Sequence, residues 1–160
     1  MNNRRWAIVW LATLFLGGGW LWMSRVPADA LTLLREAEPA VDHPAPDFTL
    51  ATLAGDSFTL SELQGTPVVL NFWATWCGPC QRELPALQSA AERYAGKIII
   101  VGVDQGEAAD VVQPYADELG LTFPVPLDVD FAVGDRYDIR GLPTTFFIDR
   151  DGMIRSVWAG

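Results

Sequence analysis

Along this chain the spacing of apolar positions changes several times, and each change marks an element. Residues 6–23, WAIVWLATLFLGGGWLWM, carry no charge. That length is about what a helix needs to cross a hydrocarbon core, and it exceeds the roughly 7–15 apolar residues of a cleavable signal. The segment is therefore expected to be an uncleaved anchor. Two readings compete with it: a signal cut at the small residues Ala28-Asp29-Ala30, and a buried core helix. From Ser24 to Ala45 the pattern dissolves into a mixed, proline-bearing stretch with Pro27, Pro39 and Pro44, expected to be a tether.

Near Pro46 regular patterning begins. Phe48 and Leu50 alternate with polar residues, Ala54-Gly55-Asp56 offers a turn, and Phe58 and Leu60 alternate again, which predicts a β-hairpin. Ser61 followed by Gln64 predicts one capped helical turn. PVVLNFW (67–73) and KIIIVGV (97–103) are near-continuous β-rich runs, as expected of central parallel strands covered on both faces. Between them Leu84, Leu87, Ala91 and Tyr94 recur at helical spacing, predicting a helix from Cys80 to Tyr94 and hence a βαβ unit.

A second helix is expected from Glu107 to Leu119, with Val111, Val112, Tyr115 and Leu119 on one face and Gly120 as its stop. After LTFPVPLD comes a short helical turn around Phe131 to Tyr137. TTFFID (144–149), the turn Asp151-Gly152 and MIRSVW then read as an antiparallel pair. The resulting order is βαβ, α, ββ. The domain plan is residues 1–5 before the anchor, 6–23 the anchor, 24–45 the linker and 46–160 one globular domain.

Charge sharpens this plan. Arg4 and Arg5 precede the apolar run and belong on the cytoplasmic side, while Trp20 and Trp22 stand where an interfacial belt would form on the other. The domain is then expected outside the cytoplasm. Residues 31–160 hold eight basic against nineteen acidic residues, a formal charge of −11. So acidic a body excludes phosphate-backbone binding as a natural role, and no nucleic-acid partner is expected.

The chemistry concentrates in NFWATWCGPC (71–80), which holds both cysteines of the chain. Two cysteines cannot staple a domain of this size. Cys77 falls at the start of the predicted helix, where unpaired N–H groups and the positive dipole end lower a thiol pKa. Gly78 lets the backbone pass close to a partner chain, and Pro79 suits a first helical turn. Two intervening residues allow a disulfide across the turn, with Cys77 attacking a substrate disulfide and Cys80 resolving the mixed disulfide. A metal site would need more ligands of the right kind, yet there is no second cysteine pair and the single histidine, His43, lies in the proline-bearing loop. No metal is expected. Haem attachment would need a histidine where Gln81 stands.

Taken together, VVLNFWATWCGPCQRELPAL, GLPTTFFIDRDG and the preceding PAPDFTL resemble the membrane-anchored thioredoxin-like thiol–disulfide oxidoreductases of the TlpA/ResA type, over roughly residues 44–158. The resemblance implies an α/β thioredoxin-like fold: a central mixed sheet flanked by helices, with an N-terminal β-hairpin extension, preceded by one transmembrane helix. The family's closing helix after the last hairpin is missing from this sequence. Cys77 would be the exposed nucleophile and Cys80 the buried resolving thiol. Pro143 matches the family's cis-proline, Leu142 precedes it, and these residues with Trp76, Gly78 and Pro79 would meet the client. Pro85 matches a helix-kinking proline.

Asn71 stands where cytosolic thioredoxins carry a buried aspartate. Glu83 matches a glutamate near the active site of extracytoplasmic relatives, where a raised-pKa carboxylate could take the proton of the second thiol. Its other reading is a first-turn acid favouring the helix dipole. No cofactor beyond a redox-active Cys77–Cys80 disulfide is implied.

The expected activity is extracytoplasmic reduction of protein disulfides at the inner membrane. Its clients would be thiol proteins such as apocytochrome c before haem attachment, and its electrons would come from a transmembrane thiol donor. An oxidase or isomerase on the same scaffold, a copper-carrying non-enzymatic relative and a peroxidase are the alternatives. The copper and peroxidase readings lack, respectively, the longer cysteine spacing with a distant histidine and a Thr-x-x-Cys setting.

Overall fold

The computed structural model describes residues 39–160. The expected anchor, the cleavage-site alternative and most of the tether lie outside the described residues. Among the described residues no helix is long and apolar enough to cross a membrane.

The first hairpin pairs β1 (Thr49–Ala51) with β2 (Ser57–Thr59). A five-stranded mixed sheet follows in the order β5-β4-β3-β6-β7, built from β3 (Val68–Trp73), β4 (Ile99–Gln105), β5 (Leu127–Asp128), β6 (Thr144–Ile148) and β7 (Ile154–Ala159). β3 and β4 are parallel and joined through α1 (Gly78–Arg93), as the apolar runs predict. β6 pairs antiparallel with both β3 and β7. Helices α2 (Ala109–Leu119) and α3 (Ala132–Arg136) complete the domain.

Because strand side chains alternate, the sheet separates two apolar layers. One holds Phe48, Leu70, Phe72, Val101, Val103, Tyr137 and Phe146. The other holds Trp73, Cys80, Leu84, Ile100, Val112 and Phe123, beneath α1 and α2. Tyr137 ties the chain's entry to the first layer, its hydroxyl donating to the Pro46 carbonyl at 2.6 Å. Residues just before Pro46 are also held: the N–H groups of Asp42 and Ala45 donate to the carbonyls of Ile154 and Gly152.

Several local expectations are corrected. Ser61 does not cap a helix: Leu60–Leu63 is a 3-10 turn without a side-chain cap, and the Ser61 N–H instead donates to Asp47 Oδ1 at 2.9 Å. Val111 and Tyr94 are exposed, since α2 buries only Val112 and Ala116 and α1 buries Cys80, Leu84 and Gln88. Gln88 is buried because Thr122 occupies its amide: its Oε1 accepts the Thr122 N–H and its Nε2 donates to the Thr122 hydroxyl. β7 is the last element of the sequence, and on the outer strands Phe147 and Trp158 stay exposed, their rings edge to face at 6.4 Å.

Candidate active site

The second layer rises into the loop between β3 and α1. Ala74 turns the chain, its carbonyl accepting the Cys77 N–H at 3.2 Å. Cys77 is the N-cap of α1, its sulfur accepting the Cys80 N–H at 3.2 Å, and proline stands in the first turn. This is why the helix begins at Gly78 rather than Cys80: a sulfur cap takes one of the orphan N–H groups, and Pro79 has none to satisfy.

Cys77 and Cys80 are joined as a disulfide. The expected contrast in exposure between them is small: Cys77 is 4% and Cys80 1% accessible. Both belong to the apolar layer under α1, but Cys77 also lines a groove with Trp76, Gly78, Pro79, Leu142 and Phe131, and Cys80 does not. Trp76 stands out at 68% accessible. The Leu142–Pro143 bond is cis, with Leu142 at the groove and Pro143 itself buried. The groove is thus apolar, with Arg140 as its cation, and Arg140 pairs with Asp138.

Acids stand on the elements that carry the site, on α1 and at the end of β4. Glu83, on α1, is half-buried, and burial pushes its carboxyl above the ordinary range. Asn71 is fully buried, its amide donating to the Thr145 hydroxyl at 2.9 Å, so it offers no titrating group.

Three residues that sequence reasoning missed also belong to this region. Asp104, at the end of β4, is wholly inaccessible, and its carboxyl is pushed up to about 8, first by burial and then by Glu107. Glu107 accepts both the N–H and the hydroxyl of Thr75, each at 2.6 Å. Phe131 reaches the groove from the loop after β5 in the left-handed backbone region at φ 63°. The signal for Asp104 was a carboxylate closing an apolar run, VGVD; nothing in the sequence places Glu107 or Phe131 beside the cysteines. Among the described residues no group of acids, cysteines and histidine could hold a metal ion.

A disulfide at a helix N-terminus beside an open apolar groove can exchange with another chain's thiols, because the N–H groups of the helix start stabilise Cys77 as the thiolate that is expelled, and as the nucleophile in the reverse direction. Similarity to known proteins agrees with that chemistry. Residues 41–157 match the AhpC/TSA family. The thiol–disulfide oxidoreductase ResA of Geobacillus kaustophilus is 40% identical over 122 residues, covering 76% of this chain and 70% of that protein. The thioredoxin-like protein YneN of Bacillus subtilis is 40% identical over 119 residues, covering 72% and 69%. The crystal structure of a thiol:disulfide interchange protein from Chlorobium tepidum, of the thioredoxin family, matches with a TM-score of 0.67 at 31% identity, covering 76% of this chain and 88% of that one. The chain is therefore an enzyme of the AhpC/TSA family and belongs to its thioredoxin-like thiol–disulfide oxidoreductases of the TlpA/ResA type.

Proposed function

We propose that this enzyme reduces protein disulfides outside the cytoplasm through Cys77 and Cys80, held at the inner membrane by its N-terminal segment. The observation that carries the reading is the placement of the pair: Cys77, the helix cap, lines the groove, and Cys80 does not. The Cys77 thiolate attacks one sulfur of the client disulfide, forming a mixed disulfide and expelling the client's other sulfur as a thiolate. Cys80, once deprotonated, attacks the Cys77 sulfur, which releases the client's second thiol and leaves the Cys77–Cys80 disulfide. Two electrons and two protons have then passed to the client, and a transmembrane thiol donor restores the dithiol.

Glu83 is the proposed acceptor for the Cys80 proton, since a carboxyl raised by burial is a better base than an ordinary one. Trp76, Gly78, Pro79, Leu142 and Pro143 form the client-facing surface. Apocytochrome c or a copper-site thiol protein is the proposed client, and no cofactor beyond the cysteine pair is needed. The relatives named thiol–disulfide oxidoreductase support the activity.

Cys77→Ser should abolish disulfide reduction, and Cys80→Ser should accumulate a mixed disulfide with the client, visible as a reducible adduct. Capture of nothing by the Cys80 variant from membrane extracts would sink client reduction as the role. The reduction potential decides direction: a value near −270 mV, the thioredoxin range, makes the pair a reductant, and one near −120 mV an oxidant.

A further inference from the structure

Asp104 is a buried acid that the exchange chemistry above does not use. It is the register partner of Trp73 across the parallel β3–β4 pair, so the two side chains share the sheet face that α1 covers. Among the described residues neither of its carboxylate oxygens has a well-formed hydrogen-bond partner, and the one N–H directed at it is the backbone N–H of Glu107. What lies against it is another carboxyl, that of Glu107. Two ionised carboxylates in contact repel and neither can donate; one shared proton turns the pair into a hydrogen bond.

Glu107 is in turn the anchor of the loop that presents Cys77. It accepts from Thr75 twice, through N–H and hydroxyl, and the Thr75 carbonyl accepts from Gln81 Nε2 at 2.7 Å, which fastens the loop to α1. Thr75 is two residues from Cys77, whose own N–H is held by Ala74. Loop, helix and acid pair form one connected hydrogen-bonded unit.

We infer that Asp104 and Glu107 are positioning residues of the redox site: a proton held between their carboxyls keeps Glu107 on Thr75 and so fixes the loop carrying Cys77, and loss of that proton loosens it. The inference rests on the Cys77–Cys80 reading above. The side chains facing Asp104 favour retention of the proton, since Glu107 from the loop before α2 and Asp128 from β5 are both acidic and the indole of Trp73 beside it is neutral; the Glu107 backbone N–H opposes this, and burial with the acid neighbours outweighs it. With its carboxyl pushed up to about 8, Asp104 keeps the proton at neutral pH and gives it up in the mildly alkaline range.

The test is the pH profile of small-disulfide reduction by the full chain in detergent, from pH 6 to 9.5, for the wild type and Asp104→Asn. An asparagine offers Glu107 an N–H at every pH, so the ratio of variant to wild-type rate should be level below pH 7 and rise at least threefold above pH 8.5. Taking the ratio removes the titration of the thiols themselves. Glu107→Gln, which supplies an N–H to Asp104 while keeping one acceptor for Thr75, should show the same alkaline rise and serves if Asp104→Asn fails to fold. A ratio constant across the whole range overturns the inference while leaving the redox reading intact.

The second readout is a carbon-13 titration of the aspartate carboxyls in the oxidised protein, where no thiol titrates. A resonance moving near pH 8, and absent in Asp104→Asn, is expected. Its absence from the wild type overturns the inference on its own. If that resonance is present but the wild type reduces no disulfide at any pH, the redox reading and the positioning role built on it both fall, and only the shared proton remains.

Discussion

Asp104 illustrates how one residue sets stability against function. Its carboxyl is raised in the fold, to about 8 from an ordinary value of 3.8. The folded chain therefore binds this proton more tightly than the unfolded chain does between those limits. The stabilisation is fully present below pH 3.8 and is lost as pH rises through 8. Asp104→Asn removes this dependence, so the variant should gain on the wild type between pH 5 and pH 8, on the order of a few kcal/mol at about 1.4 kcal/mol per pH unit. Urea unfolding at pH 5, 6.5 and 8 measures it, and a stability difference that does not change with pH refutes it. Glu83 could be singled out in the sequence by its match to the family's glutamate three residues beyond the second cysteine. Asp104 could not, because only the pairing of β4 beside β3 brings it next to Trp73.

Between elements, the connection after β4 is where the backbone does something the side chains depend on. Gly106 has φ +79°, and a Cβ there would come 2.1 Å from the Phe131 ring. Gly120 ends α2 at φ +62° with open space around it. Each Gly→Ala should lower stability by about 1–2 kcal/mol, the left-handed penalty for a residue with a Cβ. Only Gly106→Ala must also push aside the Phe131 ring, the movable end of a half-exposed side chain lining the groove. Its kcat/KM on a peptide disulfide should therefore fall several-fold, whereas Gly120→Ala should leave that ratio near wild type once both are assayed well below their Tm. Equal effects on kcat/KM would remove Phe131 from the client surface. The other strands and both long helices could be read from their periodicity, and so could the Gly120 stop, but β5 could not, because two residues among the prolines of LTFPVPLD carry no alternation. The 3-10 turn at Leu60 could not, because a Ser-x-x-Gln spacing looks like a capping box whether or not the side chain turns inward. In this protein Asp47, fourteen residues earlier, claims the Ser61 N–H.

At the scale of the whole molecule, the parallel strands β3 and β4 run toward the end of the sheet that carries Cys77, the usual location of sites in sheets of this kind. That places the chemistry in the folded domain and leaves the proposed anchor to decide where it acts. Eighteen uncharged residues would span about 27 Å if helical, close to the roughly 30 Å of a hydrocarbon core, and Arg4 and Arg5 favour retention of the segment's start in the cytoplasm. The chain has two cysteines, both in the proposed redox site, so a thiol label reports that site and nothing else. In intact cells briefly treated with a reductant, a membrane-impermeant maleimide should modify the chain, and Cys77→Ser should lower the yield. The label should remain with the membrane fraction after a high-salt wash if the segment is an anchor, and appear in the soluble fraction if it is a cleaved signal. Labelling seen only after lysis would put the dithiol in the cytoplasm. There the glutathione and thioredoxin pools already keep thiols reduced, and the proposed transmembrane electron donor would have no place.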